Sequence, residues 1–577
     1  MSPYQLGGIR NTQPAEHLYT LKMMMLTYAE HKIPVWLSTY DMSKYFDIQR
    51  WDDSTVTLIT SGVNGELLRL YEAITRDNNM QVLTPAGPSE WFRTKHLTPQ
   101  GSSYGALVSS LNLDFSVNQV MAVIEQYLST FDTVQLRSLQ FQDDIAKLST
   151  NREECQISQE TIAEMIESKQ LVLNNEKCQV MVLGEFGEAD RERNKLENQP
   201  IVMDGKDVKT GTEEKYLGDF IRNSTVADSI DYTVEMRLRA VTGPIMEILS
   251  LAEDIKSCYI GPATTATVLW ESIIIKKVLN NAASWVGITQ ATMQKLEKVQ
   301  TNFYKRLLRL PRTAPTLGIW WETGCMPMHW RIIMEKMKFA QHLEWKGEES
   351  LAGKVWKIEK EGRIVGLKSE IEQYIEKYQL PQPTKLLSKL QYKKVLKKAI
   401  RKESRLQLRK QLLESSKLSY LSEWDQQQAP QMMMTDLERI RMLTRCRISC
   451  HFSFSGDFGS GAKCECGQLD TLHHVRRGCP LYKDLLPAGE EKEILHSVEK
   501  SEVFYQTVLE RKLKMKQDKA VRQGGVRAQQ LLLPRDASRH HHQPIPPSHA
   551  VVPVMQEQLL PVVQAAAPQQ VPLYSAL

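Results

Sequence analysis

The chain has 577 residues, of which 42% are hydrophobic, and its formal net charge is only +5 at pH 7. This length exceeds what one hydrophobic core supports and indicates two or three globular domains. No segment reaches the roughly 18 uninterrupted apolar residues of a membrane span, and the first residues lack a signal-peptide pattern, so we expect an intracellular protein with no membrane segment.

Residues 1–230 alternate short apolar runs with amphipathic helical patterns, which is typical of a domain that mixes helices and strands. The run Val35–Tyr40 predicts a strand that delivers Asp41 at its end. A helical turn with Lys44 and Phe46 is expected directly after it. The sequence therefore places a carboxylate where a strand meets a turn.

A second acidic feature lies in the stretch LQFQDDIAKLS, in which Asp143 and Asp144 interrupt an apolar run. The apolar side chains before and after the pair predict a short hairpin with the carboxylates at its tip. Asp52 and Asp53, by contrast, have the context of an ordinary turn or helix start. Packed carboxylates repel each other, and one takes up a proton unless a cation lies between them. A divalent metal ion is the natural occupant.

Asp41 fits the same chemistry as the pair Asp143 and Asp144. Three carboxylates at strand ends or turns hold two magnesium ions close together, where one activates an attacking hydroxyl and the other stabilises a leaving pyrophosphate. That is the chemistry of nucleotidyl transfer. The alternative from these residues alone is a capping aspartate at position 41 and a solvated turn at the pair.

Residues 231–425 lose the strand signals and are predicted to be mostly helical, as in the stretch MQKLEKVQTNFYKRLLRLP, which ends at Pro311. The segment 384–410 carries eleven lysines and arginines against one glutamate. Leucines and Tyr392 recur between the cations at helical intervals, so one face would pack while the other follows phosphates without base specificity. A merely solvated helix face is the alternative.

Residues 426–485 contain five of the nine cysteines of the chain. The scattered, odd number favours reduced thiols over disulfides, with a local metal cluster as one outcome. The candidate zinc ligands are Cys464, Cys466, His474 and Cys479. The first two are separated by one residue, which is fewer than usual for zinc, and His473, Cys446, Cys450 or His451 could replace or supply a ligand. The alternative is a small packed unit with reduced cysteines.

The C-terminal part divides into two further segments. Residues 486–524 read as an amphipathic, charged helix with no nuclease signature. Residues 525–577 are rich in Pro, Gln, Ala and His without a sustained period and are predicted to be disordered. The three histidines at 540–542 lie in this tail and are interpreted as incidental.

The order of motifs over roughly residues 5–225 closely resembles the reverse transcriptase domain of non-LTR, LINE-like retrotransposons. The matched positions are Asp41, Lys44, Tyr45 and Phe46 in the first palm motif, Gln100 and Gly101 in a Gln-Gly turn, Asp143 and Asp144 in the paired-aspartate motif, Asn174 to Lys177 in the lysine motif, and Tyr216, Leu217 and Gly218 in the primer-grip motif. The helical segment and the Cys-Cys-His-Cys arrangement downstream resemble parts of the same elements.

The resemblance implies an α+β fold: a right-hand polymerase with palm and partial fingers built from an antiparallel sheet with helices over residues 1–230. A helical thumb and connector, a small zinc knuckle, a charged helix and a disordered tail would follow. It also implies an RNA-directed DNA polymerase that extends a DNA 3′ end on an RNA template with deoxynucleoside triphosphates. The DNA target suggests a nuclear location.

The same resemblance assigns roles to individual residues. Asp41, Asp143 and Asp144 would bind two catalytic magnesium ions, and Phe46 would act as a steric gate that rejects the ribose 2′-hydroxyl. Gln100 and Gly101 would shape the template and nucleotide pocket, Lys177 would approach the triphosphate as a cation or proton donor, and Tyr216, Leu217 and Gly218 would form the primer grip. The zinc ion would be structural, because four protein ligands leave no open position.

Two departures from the family pattern lie beside the expected ligands. Gln142 stands where alanine is common, and Tyr45 stands where a smaller residue is common. The chain also begins at what resembles a late finger motif, so an N-terminally incomplete polymerase is expected. Two alternatives remain: an RNA-copying RNA polymerase, which Phe46 argues against, and a remnant that only binds nucleic acid.

Overall fold

The computed structural model describes residues 1–76, 79–93, 102, 104–132, 134–135, 137–255, 261–416, 418–423, 436–448, 463–468, 474–475, 479–485 and 498–522. Gln100, Gly101, Cys450, His451, His473 and the predicted tail from residue 525 lie outside these ranges. No helix within them is both long enough and apolar enough to cross a membrane.

Within the described residues, all the strands lie between Val35 and Arg222. They are β1 (Val35–Tyr40), β2 (Asn79–Met80), β3 (Leu83–Thr84), β4 (Gly87–Pro88), β5 (Phe92–Arg93), β6 (Thr130–Phe131), β7 (Val134–Gln135), β8 (Leu139–Phe141), β9 (Asp144–Ser149), β10 (Gln179–Leu183), β11 (Val202–Met203), β12 (Lys206–Asp207), β13 (Lys209–Thr210), β14 (Glu213–Tyr216) and β15 (Asp219–Arg222).

Helices occur throughout the described residues. Those among the strands are α1 (Pro14–Glu30), α2 (Tyr45–Ile48), α3 (Trp51–Thr60), α4 (Gly65–Arg76), α5 (Gly105–Val123), α6 (Arg152–Ser168) and α7 (Gly187–Asn198). Those that follow are α8 (Val226–Ala240), α9 (Thr242–Asp254), α10 (Pro262–Leu269), α11 (Ile275–Val278), α12 (Gln290–Leu307), α13 (Thr316–Thr323), α14 (Met328–Lys346), α15 (Leu351–Lys360), α16 (Leu367–Tyr378), α17 (Lys389–Glu414), α18 (Leu437–Arg447) and α19 (Val498–Arg522).

The central sheet has five strands in the order β13-β10-β1-β9-β8. Strand β1 pairs antiparallel with β9 on one side and with β10 on the other, and all six of its residues are buried. Successive side chains of a strand point to opposite faces, and those of β1 enter two different hydrophobic cores. The predicted strand is therefore present, at the centre of the sheet.

The two cores lie on opposite faces of the sheet. Val35 and Leu37 of β1 belong to the first core, which also includes the buried face of α1 and most of the later helices. Trp36 and Tyr40 belong to the second core, together with buried side chains of α5 and α6. The sheet is thus covered by helices on both faces, and the predicted mixed α+β fold is confirmed.

Helix α1 joins the sheet to the later helices through buried polar contacts. The Tyr19 hydroxyl donates to Oε2 of Glu359 on α15 at 2.6 Å. Nε2 of His342 on α14 lies 2.9 Å from Oε1 of Glu16. Burial raises the pKa of Glu359 to about 7. These contacts link residues more than 300 positions apart in the sequence.

The fully buried carboxylate of Asp219, at the start of β15, is a second junction. Its Oδ2 accepts from Nζ of Lys22 on α1 at 2.6 Å and from Nε1 of Trp285 at 3.2 Å. Its Oδ1 accepts from Nη2 of Arg237 on α8 at 2.6 Å and from Nδ2 of Asn281 at 3.4 Å. Four donors from three parts of the chain therefore converge on one side chain.

We expect Asp219→Asn to lower the free energy of unfolding by about 3–5 kcal/mol, because it leaves the buried cations of Lys22 and Arg237 without their counter-charge. Urea denaturation followed by circular dichroism measures the change. The matched control is Asp207→Asn on β12, where the aspartate is exposed and a change within about 0.5 kcal/mol is expected. Equal stability of the two variants would contradict this role of Asp219.

Candidate active site and metal-binding cluster

Strand register brings the three predicted aspartates to the same end of the sheet. Tyr40, the last residue of β1, is paired with Ile145 of β9. The next residue, Asp41, therefore lies beside Asp144, the first residue of β9. The hairpin between β8 and β9 pairs Phe141 with Asp144, so Asp143 lies in its two-residue turn. The predicted hairpin with carboxylates at its tip is present.

The electrostatics of these carboxylates reflect their crowding. Although Asp144 is exposed as a residue, partial burial of its carboxylate, followed by the charges of Asp143 and Asp41, raises its pKa to about 6. Burial and the charge of Asp41 also raise the pKa of Asp143. The cation of Lys177 acts in the opposite direction on Asp144. Part of the cost of ionising this group is therefore mutual repulsion.

Lys177 lies beside Asp41 because its loop is bound to the segment after β1. The backbone N–H of Asn174 donates to the carbonyl of Asp41 at 2.8 Å, and that of Ser43 donates to the carbonyl of Val172 at 2.8 Å. Nζ of Lys177 is 3.4 Å from Oδ2 of Asp41, and 66% of the lysine side chain is exposed. The ammonium group is thus fixed near the aspartates and open to solvent.

The three aspartates fit divalent cations by their chemistry. Carboxylate oxygens are the donors that magnesium prefers, and a cation between them relieves the repulsion that raises their pKa values. The carboxylate oxygens of the three aspartates do not all lie within 4.8 Å of one another. Within the described residues, the group whose ligand atoms do lie this close is the Cys/His cluster near the C-terminal end.

A fourth carboxylate, Glu214 on β14, lies in the same electrostatic environment. Burial raises its pKa to about 7, and the charges of Asp144 and Asp41 add to this effect. Nε2 of Gln179 donates a hydrogen bond to Glu214 Oε2. No local sequence pattern singles out Glu214, which stands beside Glu213 in the stretch TEEKY.

The turn that carries Asp143 is clamped by residues near the N-terminus. Oε1 of Gln5 accepts from the backbone N–H of Gln142 at 3.1 Å and from that of Gly7 at 2.7 Å, while Nε2 of Gln5 donates to the Gln142 carbonyl at 3.3 Å. A Cβ on Gly7 would lie only 2.0 Å from the Gln142 nitrogen. Gln142 itself has a φ of 59°, a conformation that few non-glycine residues adopt. Gln5 and Gly7 therefore define the position of the aspartate turn.

The segment after Asp41 continues into the short helix α2. The buried Tyr45 donates from its hydroxyl to the Ser109 carbonyl on α5 at 2.8 Å, which anchors the turn after Asp41. The Phe46 ring contacts the Tyr45 ring edge to face, with 5.7 Å between centroids. Phe46 is half-buried.

Tyr216, Leu217 and Gly218 form the end of the β14–β15 hairpin, in which Tyr216 pairs with Asp219. Leu217 and Gly218 have φ values of 48° and 85°, so both turn residues are left-handed, as a tight type I′ hairpin requires. The Leu217 carbonyl accepts from Asn281 Nδ2 at 2.9 Å. The Gly218 carbonyl accepts from Arg237 Nη2 at 2.7 Å. The hairpin tip is thus tied to the helical part of the chain.

The predicted zinc ligands are brought together. One ligand atom from each of Cys464, Cys466, His474 and Cys479 lies within 4.8 Å of all the others. The Sγ atoms of Cys464 and Cys479 are 3.6 Å apart, which is far beyond a disulfide bond of about 2.0 Å. Two thiolates on a tetrahedral zinc with bonds of about 2.3 Å are about 3.8 Å apart. The donor set and its spacing therefore fit zinc.

A tight turn explains how one intervening residue suffices between the first two cysteines. The backbone N–H of Gly467 donates to the Cys464 carbonyl, and that of Cys464 donates to the Gln468 carbonyl, both at 2.8 Å. Gly467 has a φ of 91°, which glycine adopts without strain. His474 is the described histidine of the cluster, and Nε2 lies 3.0 Å from Cys466 Sγ. The alternative ligands Cys450, His451 and His473 lie outside the described residues, as does the side chain of Cys446.

The cluster belongs to a small third core formed by α18, α19 and the chain between them. Its buried members include Leu443 of α18 and Tyr505 of α19. Helix α18 is bound to the main body through Arg447, whose Nε donates to buried Glu322 on α13 at 2.7 Å. A metal ion here would fix the two helices that flank the cluster.

Residues 4–221 match the family model described as reverse transcriptase (RNA-dependent DNA polymerase). The match covers somewhat more than a third of the chain and includes Asp41, Asp143, Asp144 and the turn at Leu217 and Gly218. No curated protein matches the chain at a significant level.

The matched residues are a reverse transcriptase domain, as the order of motifs predicted. A domain of this family indicates an RNA-directed DNA polymerase, which is a nucleotidyltransferase. A domain of this kind takes an RNA template, a DNA primer and deoxynucleoside triphosphates, and it works with divalent metal ions.

We expect Gly7→Ala to slow nucleotide addition by about a hundredfold, because its Cβ must displace the turn of Asp143 and misplaced catalytic groups cost about this much. Single-nucleotide extension of a DNA primer on an RNA template measures the rate. Gln5→Ala removes the three side-chain hydrogen bonds of Gln5 and is also expected to slow nucleotide addition. Its affinity for the primer–template duplex should change little.

The control for Gly7→Ala is Gly243→Ala on α9, where a Cβ meets no atom within 4 Å. This variant is expected to extend primers at the original rate. Normal extension by both Gly7→Ala and Gln5→Ala would show that the clamp does not position the aspartate turn.

We expect the purified chain to contain about one zinc ion, because four converging donors saturate a tetrahedral site. Mass spectrometry of released metal measures the content. Cys479→Ala and His474→Ala should each remove most of the zinc, whereas Cys325→Ala, at a buried cysteine in the first core, should retain it. His473→Ala should also retain it. Metal content that is insensitive to Cys479 and His474 would refute the assignment.

Proposed function

We propose that this chain, with a reverse transcriptase domain over residues 4–221, is the polymerase of a non-LTR retrotransposon. It would extend a DNA 3′ end on an RNA template with deoxynucleoside triphosphates. One observation carries the proposal: the register of β1 against β9 sets Asp41 beside Asp144, with Asp143 in the adjoining turn.

Asp41, Asp143 and Asp144 are the residues that would hold two magnesium ions. When bound, such ions activate the primer 3′-hydroxyl and stabilise the departing pyrophosphate. The protein supplies the positions of the carboxylates, because β1 and β9 are paired strands of a sheet buried on both faces. The raised pKa values of Asp143 and Asp144 are consistent with side chains arranged to share cations.

Other residues would handle the nucleotide and the primer. Lys177 carries an exposed ammonium group next to Asp41, where an incoming triphosphate would meet it as a cation or proton donor. Phe46 is half-buried five residues after Asp41 and would exclude a ribose 2′-hydroxyl. Gln100 and Gly101 would shape the nucleotide pocket. The β14–β15 hairpin end, Tyr216 to Gly218, would contact the primer.

Two features support the non-LTR class. The palm motifs follow one another in the order and spacing of that class, and a helical region and a Cys-Cys-His-Cys cluster follow the palm. The zinc ion of the cluster would be structural, because the four protein donors leave no position for a substrate. A polymerase that uses target DNA as primer would act in the nucleus.

The test is primer extension with the full chain, an RNA template annealed to a DNA primer, magnesium and deoxynucleotides. We expect the double variant Asp143→Asn and Asp144→Asn to reduce extension by at least about a thousandfold, because removing the ligands removes several kcal/mol of transition-state stabilisation. The chain offers a matched control in Asp52→Asn with Asp53→Asn, a second aspartate pair, in the first turn of α3. This control should extend primers normally.

Absence of extension by the original chain, together with unchanged duplex binding by both variants, would favour a nucleic-acid-binding remnant over a polymerase. Extension that is equally fast with ribonucleotides would instead refute the role of Phe46 in sugar selection.

A further inference from the structure

The helix α17 carries a long cationic face. Ten of its 26 residues are lysine or arginine, and all ten are exposed. They are Lys389, Lys393, Lys394, Lys397, Lys398, Arg401, Lys402, Arg405, Arg409 and Lys410. Glu403 and Glu414 are the two acidic residues of this helix. The whole chain has a net charge of only +5, so this face is a strong local excess of positive charge.

Most of these cations have no partner among the described residues. Elsewhere in this part of the protein, exposed lysines commonly pair with carboxylates, as Lys295 does with Asp231 at 2.8 Å. On α17, eight side chains make no hydrogen bond or ion pair within the described residues: Lys393, Lys394, Lys397, Lys398, Arg401, Lys402, Arg409 and Lys410. Unpaired like charges on one face repel each other weakly, and a polyanion that covers the face would relieve this repulsion.

The opposite face of α17 is fixed to the main body. Tyr392, Leu396, Ile400 and Leu412 are buried in the first core, which also contains Val35 and Leu37 of β1. The helix starts at a capping box in which the Ser388 side chain accepts from the N–H of Gln391. The cationic face is therefore held rigidly on the same core as the strand that ends at Asp41.

The spacing of the cations suits a regular phosphate backbone. Lys393, Lys397, Arg401, Arg405 and Arg409 recur every four residues, which corresponds to steps of about 6 Å along a helix about 39 Å long, and each step turns the row by about 40° around the helix axis. A nucleic-acid duplex offers one phosphate per roughly 1.7 Å of its axis. A straight helix of this length can thus meet several phosphates at once.

The composition of the face favours a duplex over a single strand. Proteins that bind single strands stack bases on exposed aromatic side chains, and the one aromatic residue of α17, Tyr392, is buried at 1% exposure. Lysine and arginine contacts to phosphates carry no sequence information. We propose that the exposed face of α17 binds the phosphate backbone of the RNA–DNA duplex that the polymerase makes, without base specificity. This inference rests on the proposed function for the identity of the duplex.

The test compares the full chain with a variant in which Lys393, Lys397, Lys398 and Lys402 are all changed to Gln. Glutamine keeps the length and helix propensity of lysine while it removes the charge. Fluorescence anisotropy measures the affinity for a blunt RNA–DNA duplex between 50 and 200 mM salt, without nucleotides. We expect the affinity to fall by about tenfold or more and the slope of log K against log salt to shrink by about 3 to 4 units.

The matched control changes the same four lysines to Arg, which preserves the charge. It should bind the duplex like the original chain, and circular dichroism should show equal helix content in both variants. An unchanged salt slope in the Gln variant overturns the proposal. Equal losses for single-stranded RNA and for the duplex overturn the preference for a duplex. If the Gln variant loses binding to anionic phospholipid vesicles but binds the duplex like the original chain, the face belongs to a membrane-binding surface instead.

The binding measurement is independent of catalysis, so the two proposals fail separately. A reduced salt slope in the Gln variant, with no primer extension by the original chain, would uphold the duplex-binding face and refute the polymerase proposal. Normal primer extension by the original chain, with an unchanged salt slope in the Gln variant, would uphold the polymerase proposal and refute the duplex-binding face.

Discussion

The ion pairs of the buried Asp219 carboxylate fix the position of the later helices against the sheet. The carboxylate lies between two buried cations, Lys22 from α1 and Arg237 from α8, and each of them would be costly to bury alone. Burial lowers the pKa of Lys22, although the charge of Asp219 acts in the opposite direction. The turn residues Leu217 and Gly218 directly precede Asp219, so the same contacts fix the hairpin that we assign to the primer.

The register of the central sheet is the second constraint. Side chains of β1 alternate between two apolar cores. A shift of its pairing register by one residue would move every side chain of β1 to the opposite face of the sheet. Because both cores are closely packed, such a shift is strongly disfavoured, and Asp41 stays beside Asp144. The position of the candidate metal ligands thus follows from hydrophobic burial several residues away, and the Gln5 clamp then sets the turn itself.

Sequence patterns correctly predicted the elements whose structure depends on residues close together in the chain. The strand before Asp41, the hairpin around Asp143 and the basic helix needed only the spacing of apolar and charged residues. Glu214 and the Gln5 clamp could not be found in this way, because the charge interaction of Glu214 with Asp144 and the hydrogen bond of Gln5 with Gln142 join residues about 70 and 137 positions apart. The departure at Tyr45 has a structural account, because its hydroxyl is bound to α5. The contacts of Gln142 with Gln5 involve only the Gln142 backbone, and nothing in the structure explains its side chain. Residue type and spacing indicate the candidate zinc ligands, and the left-handed Gly467 shows how an unusually short spacing still forms the turn.

The contact between Tyr19 and Glu359 has a consequence for synthesis on the ribosome. Glu359 on α15 is synthesised 340 residues after Tyr19 on α1, which at about 5–20 residues per second is a delay of about 17–70 s. During this interval the apolar face of α1 lacks part of its final core. Contacts this distant in sequence slow folding, so the nascent chain is a natural client for chaperones until the later helices emerge.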